Sequence, residues 1–202
     1  ALKAAADKLP SIITRQCDLT KSEQRETLFQ WIVKEHSDLN VLVNNAGIQN
    51  WMSISDADFF YKAQQEVVIN IEAPLHLTSL CLQLSGLDTI LNVSSGLSFV
   101  PLIKAPIYSA TKAFFHSFTL SLQAILKQRN IEVIEVIPPA LNTDLGGKGL
   151  HDFAPPVSDF INAIFTQLEQ GKTTLSFGFG DIASKANPEE LRQIFIKMNQ
   201  LS

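Results

Sequence analysis

The sequence lacks any excess of basic residues. Its 202 residues include 16 lysines and arginines against 20 aspartates and glutamates, a formal net charge of −4. A protein that binds nucleic acid through a basic patch shows the opposite balance, so we expect no nucleic-acid partner. No apolar run reaches the roughly 18 residues that a membrane-spanning helix needs, and no signal peptide is recognisable. We therefore expect no membrane span and a cytoplasmic location.

Cysteine and glycine are also scarce. The two cysteines, Cys17 and Cys81, have no neighbours at metal-ligand spacing, and the four histidines are scattered. We therefore expect buried thiols in a reducing compartment and no metal site. Glycine occurs nine times and never before Gly47. The sequence also starts without methionine, in what reads as the middle of a helix, so we expect that residues precede it in the complete protein.

The composition is that of one globular domain covering residues 1–202, with 46% apolar and 18% charged residues. Apolar and turn patterns predict strands at 11–17, 39–43, 89–93, 131–137 and 173–177. They predict helices at 20–36, 56–84 (one or two helices), 106–128, 158–170 and after Asn187. This alternation predicts an α/β fold with a doubly wound parallel sheet, Rossmann-like. Residues 144–156, rich in Gly and Pro, are either a substrate lid or a loose connection.

Polar features directly follow four of the predicted strands. They are Asp18, the Asn-Asn-Ala-Gly run at 44–47, Ser95 and Thr143. Parallel sheets bind ligands beyond the carboxyl ends of their strands. This shared placement predicts a binding site at that edge of the sheet.

The stretch from the 89–93 strand to Lys112 carries the groups suited to proton transfer. Pro106 is typical of a first helical turn, and Tyr108 and Lys112, four apart, then share one face of that helix. Ser95 lies 13 residues before Tyr108, at the end of the strand. A hydroxyl, a phenol and an ammonium that converge could exchange a proton with an alcohol or carbonyl oxygen.

The ammonium is needed because a phenol, with a pKa of about 10, is a poor base at neutral pH. We expect Lys112 to lower the pKa of Tyr108; a shift of about three units takes roughly 4 kcal/mol, which a close, partly desolvated charge can supply. Each motif alone has a plainer interpretation. Tyr-x-x-x-Lys is common in proteins without this chemistry, and Ser-Ser-Gly most often ends a strand in a turn.

Taken together and in order, these motifs resemble the short-chain dehydrogenase/reductase family over nearly the whole chain. The resemblance rests on Asp18-Leu19, 44–47, Asn70, Ser95, Tyr108-x-x-x-Lys112 and the Pro-Pro-Ala-Leu-Asn-Thr run at 138–143. Three segments, NVSSGLSFVP, TKAFFHSFTLSL and IFIKMN, are similar to the DltE-like branch of this family. The resemblance implies an oxidoreductase that transfers a hydride between NAD or NADP and a small-molecule alcohol or carbonyl compound.

The resemblance also implies catalytic roles. Tyr108 would be the acid/base, Lys112 would lower the pKa of Tyr108 and bind the nicotinamide ribose, and Ser95 would orient the substrate oxygen. Asn70 would bend its helix and hold a water that links Lys112 to solvent. A homodimer or homotetramer through the helices that carry Asn70 and Tyr108 is implied as well.

The cofactor contacts implied by the resemblance are Asp18, Leu19, Asn44, Ala46, Gly47, Tyr108, Lys112, Pro138 and Thr143. Asp18 would meet the adenine ring, Asn44 and Ala46 would line the adenosine side, and Thr143 would bind near the nicotinamide or its phosphate.

Two departures from the family pattern are visible. The glycine-rich turn after the family's first strand is absent, so we expect an N-terminal βαβ portion to be missing upstream, and with it the choice between NAD and NADP. Pro139 stands where the family usually has glycine. These departures keep open a second hypothesis, a binding or scaffold protein that retains the fold. A sugar-nucleotide epimerase also uses Tyr-x-x-x-Lys, but the 44–47 run and the short chain argue against it.

Overall fold

In the computed structural model, which describes residues 2–201, four parallel strands form one sheet with helices on both faces. The strands are β1 (Val41–Asn44), β2 (Thr89–Val93), β3 (Glu132–Ile137) and β4 (Thr174–Ser176). The helices are α1 (Leu2–Lys8), α2 (Ser22–Glu35), α3 (Phe59–Val67), α4 (Ala73–Cys81), α5 (Pro106–Leu126), α6 (Val157–Glu169), α7 (Phe179–Lys185) and α8 (Pro188–Met198).

The sheet has the order β1-β2-β3-β4, and every neighbouring pair is parallel. Asn44 lies opposite Asn92 in the β1–β2 register, and Asn92 lies opposite Glu135 in the β2–β3 register. The carboxyl ends of these strands therefore meet at one edge, as the sequence predicts. The Rossmann-like parallel α/β fold is confirmed.

Two apolar layers hold the helices against the sheet. Neighbouring strand residues point to opposite faces, and Val133 and Ile134 accordingly belong to different buried clusters. The first cluster joins α2, α4 and α5 to the sheet, and its members include Phe29, Cys81, Ile90, Leu122 and Val133. The second joins α6 to the other face through Phe160, Ile164, Val136 and Leu175. Each fully buried side chain of this kind contributes about 1.5–3 kcal/mol to the stability of the fold. These contacts fix the strand ends relative to α5.

The predicted strand at 11–17 is wrong. These residues form no regular element, and Ile12 and Ile13 are exposed. A strand is stable only when a neighbour satisfies its backbone N–H and C=O groups. Within residues 2–201 no strand pairs with this segment, so its β-branched composition alone does not make it a strand.

The region predicted as one or two helices is two helices joined through a wider turn. Helices α3 and α4 are continuous through a π-helical turn at Val68–Glu72, with Asn70 in its middle. Such turns are rare and interrupt the normal hydrogen-bond ladder, which re-aims the side chains they carry. The bend predicted at Asn70 therefore takes the form of a π turn.

The two cysteines differ in burial. Cys81 is buried, as expected, whereas Cys17 is only half-buried.

Among residues 2–201, no helix combines the length and the apolar character that crossing a bilayer would demand.

Candidate active site

The carboxyl ends of β1, β2 and β3 open into one cavity of about 980 Å³. Seven residues singled out from the sequence line it: Ala46, Gly47, Ser95, Tyr108, Lys112, Pro138 and Thr143. They come from three strand ends and one helix, so the fold gathers side chains that lie up to 97 residues apart in sequence. These residues therefore line one concavity.

Helix α5 places the phenol and the ammonium. Pro106 is at its first turn, and Tyr108 and Lys112, one turn apart, are both more than nine-tenths buried. The Lys112 Nζ donates a 2.7 Å hydrogen bond to the Val93 carbonyl oxygen at the end of β2. It lies 5.7 Å from the centre of the Tyr108 ring. The ammonium thus points into the cavity, beside the phenol, and is anchored to the sheet.

Ser95 lies at the end of β2 and lines the same cavity as the phenol. Its backbone is extended, and its Oγ accepts a 3.1 Å hydrogen bond from the Leu97 N–H at the start of a short 3₁₀ turn, Gly96–Ser98. The hydroxyl shares this cavity with the Tyr108 phenol, and its proximity acts to lower the pKa of that phenol. Hydroxyl, phenol and ammonium therefore converge, as the spacing in the sequence predicts.

Asn70 clamps the loop that follows β1. Its Oδ1 accepts a 2.9 Å hydrogen bond from the Ile48 N–H, and its Nδ2 donates to the Ile48 carbonyl at 2.9 Å and to the Thr111 Oγ1 at 3.1 Å. A Cβ on Gly47 would approach the Asn70 Oδ1 to 3.3 Å and the Lys112 Nζ to 3.9 Å. The small residue keeps this floor of the cavity open. The water that Asn70 is expected to hold stays a prediction.

Burial, and not the neighbouring cation, dominates the protonation of the pair. Desolvation raises the pKa of Tyr108 well above its ordinary value; the nearby Ser95 hydroxyl opposes this, and the charge of Glu66 adds to it. Burial also lowers the pKa of Lys112 to about 8. Burial therefore acts against the expected lowering of the Tyr108 pKa, because loss of hydration disfavours the charged form of each group.

Three residues expected to contact the cofactor lie away from the cavity wall. The Asp18 carboxylate is exposed and accepts hydrogen bonds from the N–H and hydroxyl of Thr20. The Leu19 carbonyl accepts a 2.8 Å bond from Arg25. The buried Asn44 amide donates to Thr78 and to Asn92, so its visible role is to tie β1 to β2 and α4. Cofactor contacts for these residues stay predictions.

Sequence reasoning missed Glu66 and Asn50. Glu66 is completely buried in α3, and one of its carboxylate oxygens accepts hydrogen bonds from the Asn50 N–H and the Asn50 Nδ2. The available signal was its position four residues before Asn70, which puts both on one helix face. A glutamate in a helix is usually exposed, so this spacing alone does not predict that Glu66 is buried.

The rest of the cavity lining is largely apolar, with Gln49, Lys104, His151, Asn199 and Gln200 among its polar members. It comes from the segment after β1, from residues 102–103, from the 144–156 segment and from the end of α8. Its apolar members include Trp51, Leu102, Ile103, Leu145, Leu150, Phe153 and Met198. Part of the 144–156 segment thus covers the cavity, although either a lid or a fixed connection fits this placement. Residues 2–201 contain no cluster of His, Cys, Asp and Glu side chains able to bind a metal ion.

Comparison with known proteins gives a consistent answer. The family described as short chain dehydrogenase matches residues 1–152. The Bacillus subtilis protein described as uncharacterized oxidoreductase DltE is 35% identical over 98% of this chain and 82% of its own length. An uncharacterised oxidoreductase of Staphylococcus saprophyticus is 29% identical over 70% of this chain, which spans 61% of that relative's length.

A solved structure agrees at the level of the fold. A short chain dehydrogenase from Burkholderia cenocepacia, crystallised in complex with NADP, superposes with a TM-score of 0.79. The alignment covers 97% of this chain and 83% of that one at 23% identity.

Proposed function

The chain belongs to the short-chain dehydrogenase family, and from this premise we propose that it is an NAD(P)-dependent oxidoreductase acting on a carbonyl or alcohol group. One observation carries the proposal: the side chains of Ser95, Tyr108 and Lys112 converge in a cavity at the carboxyl ends of the strands. An oxygen bound there would meet a hydrogen-bond donor and a proton donor at the same time.

The residues present suit the nicotinamide half of a dinucleotide. Gly47 leaves room beside Asn70 and Lys112, and Pro138 and Thr143 line the same cavity. A bound nicotinamide supplies or accepts the hydride. The side chains of this protein would bind the reactants and transfer the proton. Lys112 would bind the ribose hydroxyls, and Thr143 would hold the nicotinamide end.

In the reductive direction the phenol would act as the proton donor. Because burial keeps the pKa of Tyr108 high, the phenol is protonated at neutral pH and is ready to donate its proton to a carbonyl oxygen. Ser95 would hold that oxygen by a hydrogen bond and so align it with the phenol. The Lys112 ammonium, with a pKa of about 8, is still mostly charged at pH 7 and stabilises the negative charge that develops on the oxygen.

The substrate end of the cavity favours an apolar carbonyl compound. Trp51, Ile103, Leu145 and Phe153 line it, and apolar walls select for ligands by the area that they bury.

The test is an assay of NADH and NADPH oxidation against a panel of apolar aldehydes and ketones. Tyr108→Phe removes only the acidic hydroxyl and should lower kcat about 10²–10⁴-fold, the usual contribution of a general acid. Tyr61→Phe is the matched control, because Tyr61 is exposed on α3 and its loss should leave kcat unchanged. Equal activity of Tyr108→Phe and the unmodified protein would remove Tyr108 from the mechanism.

A second candidate, a nucleotide-binding or scaffold protein, is favoured by the placement of Asp18 and Leu19 away from the cavity. Thermal unfolding with NADH or NADPH separates the two functions. A nucleotide present at about 100 times its Kd stabilises the fold by about 2.7 kcal/mol. Stabilisation without turnover would support the silent binding protein, and no shift with either nucleotide would support the scaffold.

We also propose that the chain works in the cytoplasm as a homodimer or homotetramer. Phe60 and Tyr61 on α3 and Phe114 and Ile125 on α5 are exposed, which leaves apolar surface on the helices expected to form the interface. Leu122, in contrast, belongs to the core, so only part of the α5 stripe is free to associate. Sedimentation velocity with Phe114→Glu tests this: the variant should be monomeric, and a monomeric unmodified protein would contradict it.

A further inference from the structure

The end of α8 forms part of the cavity, and nothing in the reaction described so far uses it. Met198 and Asn199 line the cavity, and so do Leu102 and Ile103. Ile103 precedes Asn199 by 96 residues. Two segments that are distant in sequence therefore meet in the largely apolar part of the pocket: the end of α8 and residues 101–104, called the wall segment below.

The Asn199 side chain joins these two segments. Its Oδ1 accepts a 2.8 Å hydrogen bond from the Ile103 N–H, and its Nδ2 donates to the Pro101 carbonyl oxygen at 3.0 Å. The Nδ2 also donates to the Phe195 carbonyl oxygen, in the last turn of α8, at 2.9 Å. Asn199 is only 8% exposed. Both ends of its amide are thus used, and its bonds to the wall segment go to the main chain.

The wall segment has no regular secondary structure and depends on such bonds for its position. The Leu102 N–H donates to the Ser109 Oγ at 3.1 Å, which ties the segment to α5. Among the hydrogen bonds of residues 2–201, those of Asn199 are the only ones that join the wall segment to α8. Without Asn199, the two sides of the pocket would no longer be held at a fixed separation.

We propose that Asn199 is a positioning residue of the substrate pocket, which holds the wall segment against α8 and so sets the length of apolar chain that the pocket selects. The proposal rests on the proposed function and narrows its substrate class to carbonyl compounds with an apolar chain that reaches this wall. Each methylene group buried against a fixed wall improves affinity about fourfold. A wall that moves away loses these contacts, because dispersion attraction falls steeply with distance.

The other end of α8 supplies a matched control. The Asn187 side chain caps the helix by accepting hydrogen bonds from the Glu189 and Glu190 N–H groups, each at 3.0 Å. Asn187 is exposed and lies outside the cavity lining. Asn187→Ala removes the cap and should lower Tm, but it leaves the bonds to the wall segment in place. A general weakening of α8 can therefore be told apart from the loss of Asn199.

Binding can be measured without turnover, because the sequence contains only two tryptophans, Trp31 and Trp51, and Trp51 lines the cavity. In a Trp31→Phe protein the emission comes from Trp51 alone. We would titrate this protein with a series of straight-chain methyl ketones of increasing length, in the presence of oxidised nucleotide so that no ketone is reduced. Affinity should rise about fourfold per methylene until the chain fills the pocket.

Asn199→Ala should flatten this length dependence. The longest ketones should lose about fourfold in affinity for each methylene contact that disappears, and the shortest ketone should lose the least. In turnover assays the same variant should raise KM for the longest ketones more than it lowers kcat. Asn187→Ala should keep the full length dependence.

Asn199→Asp is the second variant. It has nearly the same shape and keeps an acceptor for the Ile103 N–H, but its ionised side chain cannot donate to the Pro101 carbonyl oxygen. Its length dependence should lie between those of the unmodified protein and Asn199→Ala, which tests the proposal even if Asn199→Ala fails to fold.

Three results would overturn the proposal: Trp51 emission that no ketone changes, a full length dependence in Asn199→Ala, or an equal loss of it in Asn187→Ala. If the length dependence responds as expected while no ketone is reduced by NADH or NADPH, the proposed function fails and the role of Asn199 in the pocket stands. Reduction that requires Tyr108, with an unchanged length dependence in Asn199→Ala, would leave the proposed function and remove Asn199.

Discussion

Replacing Asn70 with alanine tests whether its amide holds the loop after β1. The side chain makes three hydrogen bonds, two of them to the N–H and C=O of Ile48, and is almost completely buried. Alanine removes all three and leaves the two Ile48 groups without their partner. The Thr111 hydroxyl still donates to the Tyr108 carbonyl at 2.8 Å, so we assign no further cost to it.

The expected loss follows from the two stranded backbone groups. Each buried polar group without a partner costs about 1–3 kcal/mol. Alanine is the better helix former by at most about 0.7 kcal/mol, and this gain offsets only part of the loss. The free energy of unfolding should therefore fall by about 1–6 kcal/mol. For a chain of this size each kcal/mol moves Tm by about 2–4 °C, so a drop of several degrees is expected.

Chemical denaturation of Asn70→Ala and of Asn162→Ala measures the difference. Asn162 is also helical but is exposed on α6, so its replacement should change stability only by the gain in helix propensity, at most about 0.7 kcal/mol. Turnover by Asn70→Ala, measured well below its Tm, should fall as well, because Gly47 and Gln49, on either side of Ile48, line the cavity. A loss below about 1 kcal/mol, or one equal to that of the control, would refute the clamp.

Two further substitutions test charge and close packing. Lys112→Met should abolish turnover and should change stability more favourably at pH 7 than at pH 10. The folded pKa of Lys112 is lowered to about 8, so the cost of its charge is fully present below pH 8 and disappears as pH rises towards the unfolded value of about 10.4. The lost bond to the Val93 carbonyl oxygen, in contrast, costs the same at both pH values. Denaturation at pH 7 and pH 10 checks this, and a stability change that is equal at both pH values would contradict it. Gly180→Ala should destabilise strongly, because its Cβ would collide with the Ile137 carbonyl oxygen. Gly86→Ala, with ordinary contacts, is the control in the same denaturation assay, and equal losses would contradict the clash.

The parts of the site that follow from spacing could be predicted from the sequence. Tyr108 and Lys112 share a helix face because they are four residues apart, and an apolar run ending in Ser94-Ser95 predicts a strand end whatever the rest of the chain does. Both inferences use only local geometry. The placement of Ser95 against Tyr108 needs one more step, the common edge of a parallel sheet.

The parts that depend on a partner elsewhere could not be predicted. Residues 11–17 have the composition of a strand, but a strand exists only beside another strand. The burial of Glu66 is decided by how α3 packs on α5 and by the position of Asn50, which no local pattern encodes. The π turn at Asn70 likewise reflects a backbone that gives up one regular bond because the Asn70 amide gains Ile48 and Thr111.

The protonation of the centre shows why burial must be weighed before charge. Residue types alone suggest that Lys112 acidifies Tyr108, but both groups are buried, and each is driven towards its neutral form. The phenol consequently stays protonated, while Lys112 remains mostly charged at pH 7 because its pKa falls only to about 8. The cavity then holds a neutral acid beside a cation. That pair stabilises an oxygen that becomes negative when a hydride reaches its carbon, since the cation attracts the charge and the phenol removes it by donating a proton.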